Sequence, residues 1–259
     1  MTLIVRPGFQ FDTDASTYIE AVEVADTQAL ETATRYAIND FVIGCKQDGT
    51  WSAIKASCIL SGARTLAGAL IPLAGTAPTN NNFVSGDYNR KTGLIGNGSS
   101  KYLNSNRNNN ADPQNNQHLA AYRSLVVVGG GTDIGAGVLQ VGTTGVGTGA
   151  ANTLVPRSRT NTVPVKAGTT TLGLVGMSRD SSSAFTARHS RETATFSVTS
   201  QAPYSANIFV FGRNNDGVLD DAIVSTTRLA FYSIGESLNL ALLDARVTAL
   251  ITAFGVAIP

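Results

Sequence analysis

The sequence predicts a mainly β protein: an antiparallel β-sandwich with an N-terminal helical segment and a C-terminal helix. Three observations carry this. From about residue 57 to 237, short apolar or alternating runs are separated by Gly, Ser and Asn, as strands are by turns. Both ends instead space their apolar residues by three and four, as helices do. A chain of 259 residues, 42% of them hydrophobic, can bury a substantial core.

Residues 1–12 read as an extended arm, with Leu3 and Val5 alternating until Pro7-Gly8 breaks the run. A helix capped by Asp14 or Ser16 runs to about Ala25 and sets Tyr18, Ile19 and Val22 on one face. A longer helix opens at Asp26 or Thr27. Its buried stripe is Leu30, Ala33, Ala37, Phe41 and Cys45, and Asp48-Gly49 closes it. Three of the chain's five Glu lie in this span, at positions 20, 23 and 31, and form its solvent face. The domain reading is therefore an arm and helical segment over residues 1–56 and a sandwich with its C-terminal helix over 57–259. Trp51 sits in a short helical turn that joins the two.

Residues 58–60 and 66–73 read as strands about a Gly62 turn, with Pro72 restricting the second to an edge or an end. After a polar loop at 76–82, Tyr102-Leu103 forms a short strand. Residues 104–117 hold seven Asn and read as an exposed loop. Strands follow at 118–121 and 124–128. Nine glycines lie between positions 129 and 149. No Gly-Lys-Ser/Thr accompanies them and no amphipathic helix follows, so a hairpin or turn array is expected in place of a phosphate loop. Further strands are expected at 153–155, 162–165, 172–177, 184–190 and 193–199. The run 208–211 then breaks at a polar turn containing Asp216-Gly217. Residues 228–234 roughly alternate, as a half-buried strand does. Ser237 is placed to cap the last helix, whose stripe is Leu240, Leu243, Val247, Leu250 and Phe254.

The closing order "IFVFGRNNDG … RLAFYSIGESLNLALLDARV" resembles the last strands and helix of concanavalin A-like, or laminin G-like, jelly rolls, in particular those of tailed-bacteriophage structural proteins. The stretches "RYAINDFVIGCKQDGTWSAIKASCILSGARTLAGALIPL" and "FVSGDYNRKTGLIGNGSSKYLNSNRNNNADPQNNQHLAAY" resemble recurrent blocks of phage tail and virion proteins. The resemblance implies a structural and interaction component of a tailed phage virion, assembled in the host cytoplasm. A tail or fibre protein with a lectin-like recognition domain leads, and a capsid decoration protein is the alternative. Implied partners are other virion proteins and host surface glycans.

Nineteen basic and eighteen acidic residues give no overall drive toward nucleic acid or membrane. The charge is uneven: −4 over residues 1–60, +7 over 61–205 and −2 over 206–259. Arg157, Arg159, Arg179, Arg188 and Arg191 are dispersed without interleaved aromatics, so no nucleic-acid face is expected. Cys45 and Cys58 lack zinc spacing and read as buried thiols. No run reaches the ~20 apolar residues that cross a bilayer. The apolar helical ends point to a homo-oligomer, most simply a trimer.

A carbohydrate-active enzyme is the competing class. The Glu-x-Asp-x-Glu triplet of one group of concanavalin-like glycosidases is absent, so no catalytic residue and no enzyme activity are expected. His118 and His189 read as surface or strand residues. Asn214, Asn215, Asp216, Asp220 and Asp221 raise the question of calcium, but a turn at Asn-Asp-Gly already accounts for them; no metal or cofactor is expected. Candidate ligand-binding residues are Tyr102, to stack on a sugar face, and Asn108, Asn109 and Asn110, to bond its hydroxyls. The glycine-rich 129–149 is the second candidate, since loops on a rigid sandwich vary freely.

Overall fold

The computed structural model describes residues 10–126, 131–138, 141–149, 153–164 and 172–259. The described chain opens with helices α1 (Thr13–Asp26) and α2 (Thr32–Gln47). Next come β1 (Ile54–Ile59), the short helix α3 (Leu66–Ala69), β2 (Thr79–Asn81), β3 (Tyr88–Asn89), β4 (Gly93–Ile95), β5 (Tyr102–Asn108) and β6 (Gln117–Leu125). They are followed by β7 (Gly131–Ala136), β8 (Thr144–Thr148), β9 (Leu154–Arg157), β10 (Gly173–Arg179), β11 (Phe185–His189) and β12 (Glu192–Phe196). Then β13 (Asn207–Val210), β14 (Arg213–Asn215), β15 (Val218–Leu219), β16 (Arg228–Gly235) and α4 (Leu240–Ala257) complete the chain.

The strands form two facing sheets. The first runs β12-β11-β10-β6-β16-β4-β3, with β1 also paired to β16. The second runs β9-β8-β7-β13-β5-β2, and the β14–β15 hairpin sits at the end of β7. Among the named strands only β14 with β7 is parallel; the other pairings are antiparallel. One core lies between the sheets, where Leu103, Leu119, Ile134, Val146 and Leu229 meet. A second lies on the outer face of the first sheet, where Phe231 packs among Phe41, Leu243 and Phe254. The molecule is therefore an antiparallel β-sandwich with a helical layer made by both ends of the chain. The N-terminal helices share that layer with α4, and the region predicted as residues 1–56 already contains the start of β1.

Strand β16 explains the double burial. It is an interior strand, paired with β6 on one edge and with β1 and β4 on the other, and every residue from Leu229 to Gly235 is buried, not half of them as its alternation suggests. Register shifts around Leu229 change its phase, so Leu229 and Tyr232 face the inter-sheet core while Phe231 faces the helices. The five stripe residues expected of the last helix are all buried. Its cap is Asn239, whose Oδ1 accepts from the Ala241 amide at 2.9 Å, and not Ser237, whose hydroxyl donates to Asn116 Oδ1 at 2.6 Å. Asn239→Ala is expected to cost about 1 kcal/mol, read as a lower urea midpoint at unchanged slope. With a mean hydropathy of 1.7 over its 18 residues, α4 is long and apolar enough to cross a membrane, contrary to the sequence reading. Here it is docked by Arg188 to Asp244 at 2.6 Å and by Arg246 to Asp48 at 2.7 Å.

Residues 66–73 do not form the expected strand. The Asp26 carboxylate reaches from the end of α1 to accept from the Arg64 and Thr65 amides, at 2.6 and 2.9 Å. Thr65 then caps α3 through Gly68, at 3.2 Å. This contact joins residues about forty positions apart, so local propensity does not reveal it. Cys45 and Cys58 are buried free thiols, and burial pushes them up to about 11 and about 12.

Three arginines are also interior. Arg123, Arg159 and Arg179 are each 0% exposed. Arg159 donates to the carbonyls of Asn109 and Asp112, at 2.7 and 2.9 Å. The stretch 104–117 is thus not a free loop. Its residues 104–108 belong to β5, and its turn is tied to a buried guanidinium. Deleting 108–116 would orphan that charge, so such a deletion is not the neutral change a solvated loop allows.

Candidate functional site

The outer face of the second sheet carries a cleft of about 400 Å³. Its origin lies in the glycine spacing of β8, Thr-Gly-Val-Gly-Thr. Successive strand residues alternate faces. Val146 enters the inter-sheet core with Ile134 and Leu154, so Gly145 and Gly147 leave the opposite face bare. Gly147 has no room for a side chain: a Cβ there would lie 2.4 Å from the Gly131 carbonyl oxygen. The expected hairpin over the glycine-rich stretch is present as β7 and β8; Gly129 and Gly130 lie outside the described residues.

Two arginines flank this floor. The register places Arg213 opposite Gly135, Gly135 opposite Gly145, and Gly145 opposite Arg157. One cross-strand row therefore reads Arg, Gly, Gly, Arg. Arg213 is set by the β14–β15 hairpin, whose turn residues Asp216 and Gly217 both have positive φ, 56° and 88°. That turn brings Asp220 back against Arg213, where the carboxylate pairs with Nη2. Val155, Ala222 and Ile223 supply apolar walls.

The polar groups of the cleft are incompletely used. Arg213 is only 7% exposed. Its Nε and the Nη1 of Arg157 are buried with no hydrogen-bond partner among the described residues. Burial, and then the nearby charge of Arg213, lowers the pKa of Arg157 from its usual value. Two guanidiniums against the single carboxylate of Asp220 leave the cleft with one net positive charge.

The residues singled out from sequence lie elsewhere. Tyr102 is on β5, its ring 4.5 Å from that of Phe209. Asn108 ends the same strand, up to about 20 Å away at the rise of an extended chain. Asn108 lines a smaller depression of about 160 Å³. Asn110 is exposed. Asn109 is 1% exposed and donates to the Tyr204 carbonyl at 3.1 Å, so it is a structural residue and not a ligand contact. The four do not form one site. Among the described residues no three His, Cys, Asp or Glu gather to hold a metal. Asp216 accepts from the Tyr204 hydroxyl at 2.5 Å, and Asp220 is engaged with Arg213.

Together the fold and the cleft define a β-sandwich with a ligand-sized hollow on a sheet face. No family model and no curated protein sequence matches the chain. Similar solved structures include a mutant Trypanosoma rangeli sialidase displaying trans-sialidase activity, with TM-score 0.48 and 10% identity over 83% of this chain and 39% of that one. The binding domain of botulinum neurotoxin serotype D gives TM-score 0.48 and 9% identity over 76% of this chain and 51% of that one. A leech intramolecular trans-sialidase gives TM-score 0.36 and 11% identity over 69% and 27%. The chain thus spans about half or less of each of these structures.

Sialidases and trans-sialidases stand in this set, against the expectation that the chain is not an enzyme, and that expectation is withdrawn. That expectation rested on a missing triplet. A carboxylate pattern along one strand reveals only pairs set at period two, and groups converging from separate strands leave no such trace.

Proposed function

We propose that this chain recognises a glycan through the cleft on the outer face of its second sheet, as the recognition component of a tailed-phage particle. The observation that carries the recognition part is the cleft itself. It has the size of a small-molecule site, apolar walls and two buried guanidinium nitrogens with unmet hydrogen-bonding capacity. A saccharide supplies hydroxyls for such atoms and C–H faces for such walls. The particle part is supported by the sequence resemblance.

The test is calorimetric titration of neutral and acidic oligosaccharides into the native chain and an Ala222→Trp variant. Ala222 is exposed at the cleft wall, so an indole there fills the hollow without disturbing the core. Saccharide binding should weaken at least ~10-fold in the variant, with far-ultraviolet circular dichroism unchanged. Equal binding by both proteins, or none by the native chain, removes the cleft from the reading.

A further inference from the structure

We propose that the cleft binds the carboxylate of an acidic sugar, held between Arg157 and Arg213. This rests on the glycan reading above and names its ligand class. The Arg-Gly-Gly-Arg row carries it. The two central positions have no side chain beyond Cα, so a ligand can reach the sheet backbone between the guanidiniums. Arg213 cannot turn away to solvent, because it is 7% exposed and pinned by Asp220. Its Nε and the Arg157 Nη1 are buried donors without partners among the described residues. An unsatisfied buried donor is costly, and an ionised acceptor recovers most from it.

Charge selects a single carboxylate. Asp220 cancels one guanidinium, and the remaining positive charge balances one anionic group. A phosphate dianion would leave surplus negative charge beside Asp220. A neutral sugar would leave the surplus positive charge unbalanced. Val155 and Ile223 suit the C–H face of a ring.

The test compares glucuronic, galacturonic and N-acetylneuraminic acids with their methyl esters on the native chain. Esterification removes the charge and leaves the ring. At least one acid should bind, and its ester should bind at least ~10-fold more weakly. Arg157→Gln, at a half-buried position, should weaken the acid about equally and leave the ester unchanged. Equal affinity for acid and ester overturns the inference, as does full acid binding by Arg157→Gln. Displacement of the acid by equimolar inorganic phosphate or sulfate also overturns it, because the site would then hold a bare anion. Neutral saccharides that bind, are lost in Ala222→Trp and gain nothing from a carboxylate would sink the acid inference while sparing glycan recognition. If no saccharide binds, both readings fall.

Discussion

Replacing Asp133 by Asn is expected to lower folding stability by about 3–5 kcal/mol, the cost of breaking a buried ion pair from one side. Asp133 lies on β7 of the second sheet and is 1% exposed. Its Oδ2 accepts from Arg123 Nε at 2.6 Å, and Arg123, on β6 of the first sheet, is 0% exposed. The pair therefore spans the inter-sheet core. Asp133 Oδ1 also accepts from the hydroxyls of Ser225 and Thr227, at 2.8 and 2.7 Å. An Asn removes the charge that balances Arg123, and its amide cannot accept from all these donors at once. The guanidinium cannot reach water, so the cost stays inside the fold. The double replacement Arg123→Met with Asp133→Leu should cost less than Asp133→Asn alone, because no unpaired charge remains. Urea unfolding of the three variants measures both claims. A loss below 1 kcal/mol for Asp133→Asn would show that water reaches Arg123.

The second large effect is on pH dependence. His118 is 0% exposed on β6. Its Nδ1 lies 2.5 Å from the Glu236 carbonyl and must donate, while Nε2 accepts from the Ser233 hydroxyl at 2.7 Å. This arrangement suits the neutral ring, and burial pushes the group from 6.5 down to about 4. Between those values the unfolded chain binds a proton that the folded chain refuses. Stability from this residue is therefore complete above pH 6.5 and lost as pH falls toward 4. The expected loss is about 3 kcal/mol. Glu31 acts in a lower window: Arg90 holds it down at about 2, so its contribution is present above about 4.5 and disappears as pH falls through 2. His118→Gln should flatten the dependence between pH 6.5 and 4 and leave the lower window in place. An unchanged slope across the upper window would refute the assignment.

The features that sequence alone determined are those governed by local periodicity. The stripe of α4, from Leu240 to Phe254, follows from a 3.6-residue repeat and is buried as that repeat requires. The Asp216-Gly217 turn follows from the ease with which those residues adopt positive φ. The hairpin expected over the glycine-rich stretch is formed by β7 and β8, whereas the bare face left by the glycines of β8 emerged only with the strand pairing.

Tertiary structure decided which residues meet. Leu66–Ala69 form a helix because Asp26 arrives from α1, and Asn109 is buried because Arg159 and Tyr204 close over it. The cleft brings together Thr148, Arg157, Arg213 and Asp220, which lie up to about seventy positions apart in sequence. Dispersed along the chain, those arginines carry no pattern. Only strand pairing sets two of them in one row across two glycines, since register is a relation between strands and is not contained in any one of them.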